Sequence, residues 1–218
     1  MLDFVLYMVF SVLESSALFY IAFKIFKLDI YPKEIVFAGL IMAFISYTLR
    51  NNYGLSKTDV FLQYTLTFLF IWLLFRIHIF FAVIVTGVAY QAYMLIQSVL
   101  YLFMNSTGIY ELQFPSISIG IYILQILTSA TAFIVAYNIG VRRKGFDFIP
   151  DKPEGRVTIS KSDKILFALC IPSVLVVILM LYLIEYLPHF FFVIPLFYGF
   201  LLFGYLYLSS QKNRGGIY

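Results

Sequence analysis

Long apolar runs divided by short polar breaks dominate this chain. A helix needs roughly 20 mostly apolar residues to cross the hydrocarbon of a bilayer. Seven stretches approach or exceed that length: 2–26, 32–49, 60–75, 79–102, 118–139, 165–184 and 188–209. The pattern predicts an all-α, polytopic membrane bundle of seven transmembrane helices, forming a single domain over residues 1–218. Only Arg76, Ile77 and His78 separate the third stretch from the fourth. Together these two are too long for one crossing, so a tight helical hairpin is expected. The start, MLDFVLYMVF, has no basic leader and no small-residue cleavage site, which reads as a retained first span.

The placement of Lys and Arg sets the expected orientation. Alternate loops hold thirteen of the fifteen basic residues, among them Lys24, Lys27, Lys33, Arg76, the run Arg142, Arg143, Lys144, and Lys212. The other loops hold only Arg50 and Lys57. Basic loops stay cytoplasmic, which predicts an N-terminus outside and a C-terminus inside. Segment 141–164 is then a cytoplasmic loop, turn-rich through Pro150, Pro153 and Gly155. Its basic run 142–144 offers a contact for anionic lipid or for a partner protein. An external linker carries Glu111 and a glycosylation-like Asn105-Ser106-Thr107.

Composition agrees with that placement. Hydrophobic residues make up 62% of the chain and charged residues 12%, far from the balance of a soluble domain. Mean hydropathy is +0.95. The net charge of +4 gives no nucleic-acid surface, because the basic residues lie in the loops. The single cysteine, Cys170, excludes an internal disulfide and a CxxC site, and its apolar run suits a small packed residue.

Against this background Glu14 stands out, because the first apolar run holds it midway. On insertion scales an acidic residue at mid-membrane costs roughly 2.5–3.5 kcal/mol, so the carboxyl must be protonated, paired or facing a wet cavity. At helical spacing Tyr7, Ser11, Glu14, Ser15, Leu18 and Ala22 share one face. Two other spans offer polar stripes at similar depth. One has Gly87, Gln91, Met94 and Ser98, with Tyr90 and Gln97 beside them. The other has Ser118, Tyr122, Gln125, Ser129, Ala132 and Ala136, flanked by Thr128 and Thr131. Gly39, Ala43 and Ser46 form a further small-residue seam in the second span. Spans one, four and five are therefore expected to share a polar cluster built on Glu14, Gln91 and Gln125. It reads either as packing glue or as a proton, cation or ligand site.

Catalytic patterns are missing. There is no HExxH, GxSxG or phosphate-binding loop, and no lysine in the last span for a retinal Schiff base. Both histidines lie near span ends, so neither metal nor haem is expected, and no other cofactor is implied. Arg76 and His78 read as headgroup anchors. Glu185 and His189, with Glu111, form only a scattered external set. Pro172 and Pro195 fall inside the sixth and seventh stretches, where kinks are expected.

The hairpin IWLLFRIHIFFAVIVTGVAYQAYMLIQ (71–97) and the terminal span followed by SSQKNRGGIY resemble the membrane input regions of Gram-positive, peptide-sensing (accessory-gene-regulator-type) receptor histidine kinases. The likeness is one of architecture and texture. It implies a bacterial membrane sensor, and this stretch contains no kinase domain. The expected role is recognition of a lipophilic or peptide ligand, with signalling through a membrane or cytoplasmic partner. A small proton-coupled transporter or channel subunit using Glu14, and a structural subunit of a membrane complex, stand as the alternatives. Homo-oligomerisation stays open.

Overall fold

The computed structural model describes residues 2–108, 119–149, 161–186 and 188–213, and these are helical with no strand among them. The elements are α1 (Leu2–Ile25), α2 (Pro32–Tyr47), α3 (Ser56–Leu69), α4 (Ile79–Ser106), α5 (Ile119–Val141), α6 (Lys161–Ala168), α7 (Cys170–Tyr186) and α8 (Ile194–Asn213). Single π-helical turns extend α2 over Thr48–Asn52 and α3 over Phe70–Leu74, and a 3₁₀ segment, Pro188–Val193, leads into α8. Residues 109–118 and 150–160 lie outside the described set, and with them Glu111, Ser118 and the prolines and glycine of the long loop.

Among the described residues, six helical stretches are long and apolar enough to cross a membrane: Asp3–Ile25, Pro32–Asn52, Ile79–Ser106, Gly120–Val141, Asp163–Leu183 and Phe190–Asn213. The length and composition of these helices are consistent with a multi-pass membrane protein. The stretch from Ser56 to Leu74 is not among the six. Lys57, Asp59, Gln63, Thr65 and Thr67 make its first half polar.

Rings of apolar side chains face outward. Val5 and Val9 on α1, Phe37 and Phe44 on α2, Ile134 on α5, Leu175 on α7 and Phe200 and Phe203 on α8 are all exposed. Exposed apolar side chains in this number suit a surface solvated by acyl chains. The central helix is α4, with 67% of its apolar stretch buried against 28–39% in the other five. α1 packs between α2 and α5 and touches α4. Small residues allow the close approach: Ala38, Gly39 and Ala43 on α2, and Ser129, Ala132 and Ala136 on α5, are buried. At Gly87 a Cβ would lie 2.8 Å from the Tyr205 hydroxyl, which fixes the contact of α4 with α8.

The core is uneven along the bundle axis. A dense cluster joins the end of α1 (Ala17, Phe19, Phe23) to the start of α2 (Ile35, Ala38), the π turn at Ile71 and the start of α4 (Phe81, Ala82, Val85). Leu166, Cys170 and Tyr205 belong to it as well. Beyond α5, the Phe146 amide donates to the Ile25 carbonyl at 2.7 Å, tying the following loop onto the end of α1. At the same end the Lys212 ammonium is ion-paired with buried Asp163 and sits 4.4 Å from the Phe148 ring centre.

The two prolines act differently. Pro172 has no N–H for the Ala168 carbonyl, and the helix is interrupted at Leu169, separating α6 from α7. Pro195 is the second residue of α8, at the point within the apolar stretch Phe190–Asn213 where the 3₁₀ segment gives way to α-helix.

Candidate functional site

In the other half of the bundle the helices part around a cavity of about 250 Å³. One water needs only roughly 10–15 Å³ of such space, so the chamber has room for a small organic molecule or a file of waters. Its wall comes from the beginnings of α1, α3, α5 and α8 and the ends of α2, α4 and α7: Tyr7, Val60, Gln125, Tyr198, Ser46, Tyr101 and Met180 are examples. Ser11, Glu14 and Ser15 line it from α1, and Tyr90, Tyr93 and Gln97 from α4.

Glu14 turns its carboxylate into the bundle. Gln125 on α5 donates an amide N–H to Oε2 at 2.7 Å, and Gln97 on α4 donates more weakly to Oε1 at 3.5 Å. The Tyr93 hydroxyl is within reach of Glu14 and Ser129 but forms no well-made hydrogen bond with either. No salt bridge joins Glu14 to a cation among the described residues. The Gln125 Oε1 atom is buried without a hydrogen-bond partner. Ser15 donates back to the Ser11 carbonyl at 2.9 Å, so its own hydroxyl is satisfied within α1, and both serines present small side chains to the chamber. Tyr90 is buried on the wall and packs edge-on against Tyr64 of α3.

Two expected members lie elsewhere. Gln91 is not beside Glu14; its amide points to the Ser173 carbonyl on α7 at 3.5 Å. Three residues before Met94, and six before Gln97, it faces α7 while Tyr93 and Gln97 face α1. Thr128 is fully buried on α5, and its hydroxyl has no partner and lies off the chamber wall. Arg142, Arg143 and Lys144 are exposed at the end of α5, away from the chamber. His78 accepts the Phe80 amide at 3.3 Å, making it the N-cap of α4. The side chains of Glu185 and His189 lie outside the described residues.

A second polar centre, at the end of the chamber, was not legible in the apolar pattern. Asp59 is fully buried and holds the Arg50 guanidinium, while its other oxygen accepts Gln63 Nε2 at 3.2 Å. Ser46 donates to the same carboxylate at 2.8 Å, so the Tyr7 hydroxyl donates to Ser46 at 2.6 Å. This network ties α1, α2 and α3 together. The only advance signal is a pair of opposite charges, Arg50 and Asp59, on either side of a turn through Gly54, whose φ of +65° favours glycine.

Chemically, the chamber offers one carboxylate, unpaired amide and phenol acceptors, and tyrosine and phenylalanine rings. Among the described residues, no three His, Cys, Asp or Glu side chains gather as metal ligands. Its function must be read from these groups, since no family model, curated protein or solved structure matches the chain.

Proposed function

We propose that this chain is a receptor-like protein of the cell membrane that binds a lipophilic or peptide ligand in the Glu14 chamber and signals through partner contacts. It has seven crossings, an external N-terminus and a cytoplasmic C-terminus. The single observation that carries this reading is a chamber toward one end of the bundle, set beside a second buried cluster that includes Met104 and Ile194, while the other end is filled with side chains. Ser56 and Val60 lie on the chamber and Ile71 in the packed half, which supports α3 as the seventh crossing. Its Asp59 and Gln63 meet their partners inside the bundle, so its polarity does not face lipid. Lys24, Lys27, Lys212 and the basic run 142–144 belong to the packed end, so the positive-inside rule turns the chamber outward.

A filled inner half favours binding over flux. The transporter alternative needs a path past Phe19, Ile84 and Ala132, all fully buried. Ligand occupancy acts by favouring one helix packing over another. The basic end, with exposed Arg142, Arg143 and Lys144, is the surface offered to a cytoplasmic partner, as the sensor-kinase resemblance implies.

Topology and access are tested together. In a Cys170→Ser background, Ser98→Cys is expected to react in intact cells with a membrane-impermeant methanethiosulfonate. Lys144→Cys is expected to react only after permeabilisation. Reaction of Ser98→Cys from the inside alone, or of neither cysteine, defeats the reading. Solute flux through proteoliposomes that depends on Glu14 would instead establish the transporter.

A further inference from the structure

We infer that the chamber takes an organic ammonium: a primary or secondary amine on an apolar body, its N–H donors directed at Glu14 and Gln125. This rests on the chamber being a ligand site and names the class of ligand. The first ground is charge. Of the ionised side chains here, Arg50 is paired with Asp59 and forms no salt bridge with Glu14, which leaves the Glu14 carboxylate with two amide donors and the Tyr93 hydroxyl nearby, none of them a cation. A carboxylate this deep needs a positive partner or a proton. The second ground is the polarity of the unmet groups. Gln125 is 7% exposed, and its Oε1 is an acceptor without a donor, next to the carboxylate that its own amide N–H grips. The Tyr93 hydroxyl, 1% exposed, adds another unfilled group.

An ammonium supplies the missing charge and two or three N–H donors at once. The rings of Tyr90, Tyr101, Phe191 and Tyr198 line the same space, where a cation is attracted to ring faces and an apolar body is desolvated. Rival ligand classes fit less well. An anion meets the carboxylate, while the guanidinium that would bind it is held by Asp59. A neutral lipophile leaves both Glu14 and Gln125 Oε1 unmet. A metal ion finds one carboxylate where it needs several ligands. A proton on Glu14 removes the charge and supplies a single O–H donor, but leaves the apolar space of the chamber unfilled.

The test uses the full chain in zwitterionic nanodiscs, with empty discs as the blank. Three probes share one body: phenethylammonium, neutral 2-phenylethanol and anionic 3-phenylpropionate. Calorimetry is expected to give saturable binding of the ammonium at least 10-fold tighter than the alcohol, with no binding of the anion. In Glu14→Gln the ammonium-to-alcohol ratio is expected to fall to about 1. Where Glu14→Gln does not yield folded protein, Gln125→Met carries the same test, with a severalfold loss of the ammonium preference. Equal affinity for ammonium and alcohol in the wild type, or a preference that survives both variants, overturns the ammonium assignment and leaves the chamber a ligand site. Binding of no probe, with Ser98→Cys still reactive from outside, means a proton alone satisfies Glu14, and also overturns it. An unreactive Ser98→Cys overturns the underlying ligand-site reading instead.

Discussion

Replacing Asp59 with alanine should be among the most damaging single changes at the chamber. The carboxylate is fully buried and receives Arg50, Ser46 and Gln63. Breaking a buried ion pair by removing one partner costs about 3–5 kcal/mol, because a charge is left without compensation. The lower end applies here, since the Arg50 side chain is 33% exposed and can turn toward water, and Gln63 keeps its bond to the Met42 carbonyl. Ser46 loses its acceptor in a buried place, at about 1 kcal/mol or more. A total of about 4 kcal/mol lowers the unfolding midpoint of a chain this size by roughly 8–16 °C. Cys170 supplies the assay. It is the only cysteine, it is buried, and it lies in the packed half, so a fluorogenic maleimide reports unfolding without touching the altered site. Asp59→Asn keeps the shape and one acceptor oxygen and should lose about half as much. The Arg50→Met/Asp59→Leu double variant removes both charges and should return to within about 1 kcal/mol of the wild type. A shift below ~2 °C for Asp59→Ala, or a double variant as unstable as the single one, would refute the claim that an uncompensated charge is the cause.

Two further outcomes follow from the packed half. Gly87→Ala puts a methyl 2.8 Å from the Tyr205 hydroxyl, which must give up its bonds to Ser173 and Cys170. The loss of about 2 kcal/mol is partly offset by the roughly 1 kcal/mol that alanine adds to a helix, so circular dichroism should show a net destabilisation near 1 kcal/mol. Lys212→Met removes the ammonium from fully buried Asp163 and should lower the midpoint measurably, whereas Lys212→Arg retains most of the stability. A Lys212→Met protein as stable as the wild type would show that this pair carries no weight at the basic end.

The sequence by itself determined the helical membrane architecture and singled out Glu14. Hydrocarbon leaves a spanning backbone no partner but itself, so apolar length translates directly into helices, and an acid inside such a run is conspicuous whatever surrounds it. Small-residue periodicity likewise marked the inner faces of α2 and α5. Tertiary structure alone decided which polar residues meet. Gln91 and Gln97 look alike as glutamines on one helix, yet only Gln97 turns toward α1, because the azimuth of α4 is set by its packing against α8 through Gly87 and Tyr205. The Arg50–Asp59 centre was hidden for a related reason. Both residues flank an exposed turn and read as loop charges until α3 folds back beside α2 and buries Asp59. The chamber, too, is a property of assembly. Its volume is the space that side chains from several helices leave unfilled when they come together, and no single helix records it.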